Sequence, residues 1–166
     1  MAVATGIEAN GAAPAWLDSR RVVVSGLTAR GMPGTAVVDT ATGATSAGPA
    51  GVRASATSTD GRWIAVVRAD QRSIDVEETG RWLANGAGAI PSRSVPAELG
   101  GVVVALALDA SGRSLAVVWT GPDLVPAAVV RYEDAGGWRE RGRIALRPGT
   151  TRAAVAWVPV SSCAAR

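Results

Sequence analysis

Asp60-Gly61-Arg62-Trp63-Ile64-Ala65-Val66-Val67 sets a tight polar corner against an apolar, β-branched run. The same order stands upstream at Asp18-Ser19-Arg20-Arg21-Val22-Val23-Val24 and downstream at Ser111-Gly112-Arg113-Ser114-Leu115-Ala116-Val117. The copies begin 42 and then 51 residues apart, and each follows a short strand-like stretch: 13–17, 53–57 and 102–108. Asp, Ser and Gly close a hairpin corner because they cap backbone N–H groups or accept positive φ at little cost. The strand after each corner is apolar on both faces, as befits a sheet packed between two neighbours. A recurrence of 40 to 50 residues built from short strands is the signature of a β-propeller blade, so the fold class is all-β.

Working outward, four-stranded modules are expected over 13–46, 52–84 and 102–146, with the innermost strand of a fourth at 153–158. Outer strands fall at 35–39 and 44–46, at 73–77 and 81–84, and at 127–132 and 138–146. Residues 85–100, rich in Pro and small side chains, form a long connection. The small and polar residues 1–12 read as a flexible arm, and 159–166 as a tail. Three modules and a fraction are too few to close a ring, for which about four is the minimum. The sequence therefore implies a fragment of a longer propeller, two copies that complete one another, or a flattened sandwich.

Composition removes much of the usual catalytic apparatus. The 166 residues include no His, no Lys and a single Cys, Cys163. Ser-His-Asp and Cys-His constellations, His-ligated zinc, lysine Schiff bases and internal disulfides are all unavailable within the chain. All 17 basic residues are Arg against 14 acids, and a net charge of +3 falls short of the dense positive field of a nucleic-acid binder. The longest apolar run, 101–108, is about half of the ~18 residues a membrane helix needs, so no membrane span is expected. Residues 1–14 lack the basic and apolar regions of a signal peptide; as written, the chain is expected in the cytoplasm.

The phrases Ser58-Thr59-Asp60-Gly61-Arg62-Trp63-Ile64-Ala65-Val66 and Leu108-Asp109-Ala110-Ser111-Gly112-Arg113-Ser114-Leu115-Ala116-Val117 resemble the corners of TolB-like and WD40-like bacterial propellers. With the Gly137-Trp138 outer strand, the pattern is most similar to the propeller domain of the actinobacterial lipoprotein LpqB. That resemblance implies a non-catalytic interaction module, accessory to an envelope signalling system and located at the cell envelope when part of a longer exported lipoprotein. The chain departs from the WD40 signature, which needs His, and from the sialidase Asp box, which needs Gly where Arg62 stands.

Candidate sites are few. Arg139, Arg141 and Arg143 alternate along one expected strand, which would put three guanidinium groups on one face to grip a partner's phosphate or carboxylate, or simply protect an edge strand. Asp70, Asp75, Glu77 and Glu78 supply the oxygens of a calcium site without its spacing, and read as a charged hairpin. Tyr132 beside Glu133 echoes a glycosidase tyrosine nucleophile but reads as a strand end. The six tryptophans read mainly as packing between modules. The expected inner strands carry no acids, which favours binding a protein partner, or self-association through exposed blade edges, over catalysis. No metal or cofactor is expected. The alternative is a propeller hydrolase acting on glycans or lactones through carboxylates.

Overall fold

The computed structural model describes residues 6–9, 12–85, 93–96, 101–121, 125–148 and 153–157. They form three antiparallel sheets in chain order. The first holds β1 (Ile7–Ala9), β2 (Ala15–Trp16), β3 (Arg21–Thr28), β4 (Pro33–Asp39) and β5 (Thr45–Ala47). The second holds β6 (Val52–Thr57), β7 (Trp63–Arg68), β8 (Ser73–Glu78) and β9 (Arg93–Pro96), with helix α1 (Thr79–Asn85) between the last two. The third holds β10 (Val102–Leu108), β11 (Ser114–Thr120), β12 (Pro126–Asp134) and β13 (Gly137–Ala145). Each sheet is a meander, and the whole is a partial propeller.

The apolar runs after the corners explain how the sheets assemble. Successive residues of a strand point to opposite faces. In β7, Ile64 and Val66 enter one core with Ala15, Leu17, Val23 and Trp82, while Ala65 and Val67 enter another with Leu108, Leu115 and Val117. The middle sheet is thus sandwiched between the other two. Burying each of these large aliphatic side chains contributes about 1.5–3 kcal/mol, which makes the two inter-sheet cores the main source of stability.

The corners of the second and third sheets share one hydrogen-bond ring, with the two side chains exchanged. In the second, Ser58 Oγ donates to Asp60 Oδ1 at 2.6 Å and accepts from the Trp63 N–H at 2.9 Å. In the third, Asp109 Oδ1 accepts from the Ser114 N–H at 2.9 Å while Ser111 Oγ donates to Asp109 Oδ2 at 2.7 Å. The glycine that follows docks the corner on the sheet before it. Gly61 has φ +70, and an added Cβ would lie 2.2 Å from the Leu17 carbonyl oxygen; Gly112 has φ +67, and its Cβ would meet the Trp63 ring at 2.5 Å. The first corner has no preceding sheet, carries Ser19 instead, and has no positive φ.

Four expectations change. The outer strand expected at 81–84 is helical, because Arg81, Trp82, Leu83 and Ala84 lack β-branching and the helix seats Trp82, wholly buried, against the core between the first two sheets. The fourth strand of that sheet comes instead from the expected connection, as β9. Within the expected arm, β1 pairs with β3 (Ile7 opposite Thr28), so β1 and β2 together form a broken innermost strand. Residues 153–157 carry no ladder pairing, and Val158 and the tail 159–166 lie outside the described residues.

Arg93 of β9 ties the last two sheets together. Its Nη1 donates to the Gly112 carbonyl at 2.7 Å and to Glu133 Oε2 at 2.9 Å, and its guanidinium stacks 4.3 Å from the centroid of Trp63.

Gly112→Ala is expected to destabilise the chain by about 2 kcal/mol or more, since positive φ and a clash with the Trp63 ring act together. Chemical denaturation midpoints measure it. Ser19→Ala, at the corner without a docking partner, should shift the midpoint little.

Candidate functional site

The innermost strands converge on a groove of about 820 Å³. One wall is Ala13–Ser19, the second Ser55–Gly61, the third Leu106–Leu108, and Val155–Trp157 completes it. Small residues in β2, β6 and β10 let the backbones approach, and the two flanking tryptophans, Trp16 and Trp157, give the groove its apolar surface. Trp16 is 55% exposed, while the Trp157 indole Nε1 donates to the Ala107 carbonyl at 3.1 Å. Thr57 Oγ1 donates to the Trp16 carbonyl, joining the first two walls.

Two carboxylates reach the groove, and both are bound by their own corners. Asp18 Oδ1 accepts from the N–H groups of Arg20 (2.8 Å) and Arg21 (2.7 Å), and its Oδ2 accepts from Arg21 Nε. Those bonds, the Arg20 N–H foremost, hold the Asp18 carboxyl below its usual range. Asp60 is lowered in the same way by the Ser58 hydroxyl and then the Arg62 N–H. Hydrogen bonds to the charged form make an acid stronger, so neither group can keep a proton to donate at neutral pH. Among the described residues that line the groove, neither carboxylate is poised as a general acid.

The arginine row does not share a face. A bulge in β13 sets Glu140 opposite Arg131 but Gly142 opposite Val130, leaving Arg141 as the extra residue. One extra residue reverses the alternation, so Arg139 and Arg143 lie on opposite faces. Arg139 pairs with Asp134 at 3.1 Å; Arg143 pairs with Glu140 at 2.9 Å and lies 5.6 Å from the Trp119 ring centroid. None of the three lines the groove.

The acidic hairpin is also dispersed. Asp75 is buried and paired with Arg68, and Glu77 is buried on the same face of β8, directed toward the first sheet. Both Glu77 carboxyl oxygens lack a hydrogen-bond partner. Burial pushes its carboxyl up, with Arg68 and Arg81 opposing and Asp75 reinforcing. Among the described residues no group of three or more His, Cys, Asp or Glu could hold a metal ion. Glu133 joins the Arg93 tie, so Tyr132 has no spare acid beside it. The sequence does not reveal the groove because its lining comes from four separate stretches of chain; a local signal is Ala15-Trp16 returning at Ala156-Trp157.

No family model and no curated protein matches the sequence. Among solved structures, the chain is similar to the periplasmic gluconolactonase PpgL of Pseudomonas aeruginosa, with a TM-score of 0.53 and 17% identity over 79% of this chain. The match covers 40% of the lactonase, so the chain spans well under half of that protein's length. It also aligns with KlHsv2 carrying a Gly-Ser linker in place of loop 6CD, at a TM-score of 0.41 and 12% identity over 79% of this chain and 57% of that one. The lactonase likeness supports a propeller fold. Among the described residues no helix is long and apolar enough to cross a membrane.

Glu77 yields a pH prediction. Its folded-state pKa lies above the ordinary glutamate value of 4.5. Stability tied to the protonated form is therefore complete below that value and is lost as pH rises through the raised one. Melting temperatures across pH 4 to 8 should fall on the alkaline side for the native chain, and Glu77→Gln should flatten that fall.

The exchanged corners yield another. Ser58→Asp and Asp60→Ser should each cost about 1 kcal/mol by leaving two like groups in the ring. The double variant rebuilds the third sheet's corner and should return close to native stability in the same denaturation assay.

Proposed function

We propose that this chain is a non-catalytic, propeller-type protein-interaction module whose binding surface is the groove between its innermost strands. The observation that carries the reading is the engagement of both groove carboxylates, Asp18 and Asp60, by hydrogen bonds within their own corners. Glycoside hydrolysis needs a carboxylic acid and a carboxylate facing one another, and nothing of that kind stands at the groove among the described residues. The unpartnered acid, Glu77, lies between the first two sheets and is absent from the groove lining.

Exposed Trp16 and the half-buried Trp157, set among hydroxyl and backbone groups, suit an extended peptide with an apolar anchor. Aromatic side chains in concave, partly dry surroundings dominate such interfaces. The LpqB-like corners extend the proposal to a protein partner in an envelope signalling system.

The test pairs a peptide panel with a lactone assay. Peptides selected from a displayed library are expected to lose about tenfold or more in affinity with Trp16→Ala, and nothing with Arg141→Ala. Gluconolactone, chosen because of the structural likeness, is expected to open no faster than in buffer. Turnover above buffer that disappears in Asp60→Asn would replace this reading with the hydrolase.

A further inference from the structure

The inner-strand sequence Ala12-Ala13-Pro14-Ala15-Trp16-Leu17 returns at 153–158 as Ala-Ala-Val-Ala-Trp-Val, identical at four of six positions and apolar at the others. The first copy contributes β2, which lies on the inner edge of β3 with Ala15 opposite Val23 and Trp16 opposite Val22. The second copy has no ladder partner among the described residues. Its place is nonetheless that of an inner strand. Within the chain β6 stands against β2 and β3, and β10 against β6. Residues 153–157 come next in that series, lining the groove beside β10 with the Trp157 indole on the Ala107 carbonyl.

We propose that residues 153–157 form a donor strand that pairs antiparallel with β3 of a second copy of this chain, Ala156 opposite Val23 and Trp157 opposite Val22, displacing that copy's Ala15–Trp16 and, opposite Gly26, its Ala9. The matching hexapeptide is the reason for choosing a second copy: β3 is the edge for which this sequence already has a demonstrated register. The substitution of Val155 for Pro14 is the reason exchange is favourable. Proline has no N–H to give a ladder, and β2 spans only two residues. Valine at the same place, opposite Val24, restores a donor.

The exchange also brings together the outward faces of the two end sheets, on which a few large apolar side chains stand exposed. Trp16 and Val22 point away from the middle sheet on the first sheet, and Val102 and Ile144 point away from it on the third. Trp16 is 55%, Val102 48% and Ile144 68% exposed. When the third sheet of one copy is followed by the first sheet of the other, Val102 and Ile144 face Val22 and the Trp157 that has taken the place of Trp16. Reciprocal exchange joins twice three sheets into one ring, within the four to eight of closed propellers.

A cysteine trap tests it, because directly opposed residues of an antiparallel pair have Cα atoms about 4.5–5.5 Å apart, inside the disulfide range. In a Cys163→Ser background, one chain carries Val23→Cys and another Ala156→Cys, and the two are refolded together and oxidised. The expected result is a reducible mixed dimer several-fold above the yield when Thr42→Cys, on an exposed turn, replaces Val23→Cys. Ala15→Cys with Val23→Cys in one chain is the positive control for the register. Val24→Cys with Val155→Cys is a second opposed pair should the first variant not fold. Mixed-dimer yields at the Thr42 level for both pairs, or a Val23→Cys/Ala156→Cys chain that closes on itself as a monomer, would overturn the proposal.

Discussion

The contact on which the rest of the structure depends is the seating of one sheet's corner on the sheet before it. Gly61 lies against the Leu17 carbonyl and Gly112 against the Trp63 ring, at separations that exclude a Cβ. The glycines set how closely successive sheets approach at the inner end, and that spacing decides which side chains fill the gap farther out. Between the first two sheets the wide outer end takes Trp82 from a helix. Between the last two, Trp63, Trp119 and Trp138 stand at the margin of the core, with Arg93 stacked on the first of them.

Polar groups follow the same geometry. Near the axis, carboxylates sit at corners where backbone N–H groups are plentiful, so Asp18, Asp60 and Asp109 each accept bonds from the arginine that follows or its neighbour. These bonds fix the corners, and those to Asp18 and Asp60 hold their carboxyls below the usual range. Deeper between the sheets, donors are scarce. Asp75 takes Arg68, and Glu77, two residues along the same face, is left with neither oxygen satisfied. Burial raises the Glu77 carboxyl because the protein interior disfavours its charged form, so this stability component responds to pH. The acid with a raised pKa and the groove are thus at different places in this molecule.

The architecture was legible because the repeat states it twice, once in the corner and once in the apolar run. Ile64-Ala65-Val66-Val67 announces burial on both faces, and the structure sends alternate members to two cores. Other features had no local signature. The bulge that splits Arg139 from Arg143 depends on pairing with β12, which strict alternation cannot reveal. Arg93 lies in a stretch that resembles a loop, and its partners Gly112 and Glu133 are 19 and 40 residues away. Helix α1 replaces an expected strand because tertiary burial of Trp82 outweighs analogy with the other modules. The exchange of Ser58 and Asp60 for Asp109 and Ser111 was visible as letters. Its meaning emerged only from the hydrogen bonds.

Edges complete the physical picture. An inner strand with no ladder partner presents backbone donors and acceptors to whatever strand arrives, a hazard proteins usually blunt with charge, proline or a bulge. Here the outer edge of the third sheet is blunted in this way: β13 carries three arginines, Glu140 and a bulge, and its residues are mostly exposed. The first inner strand is also guarded, by Pro14. Residues 153–157 carry no charge and no proline, only alanine, valine and tryptophan. A chain that protects one edge with charge and another with proline, yet leaves the matching segment apolar and able to hydrogen bond, has the asymmetry expected of a strand that pairs with a specific acceptor.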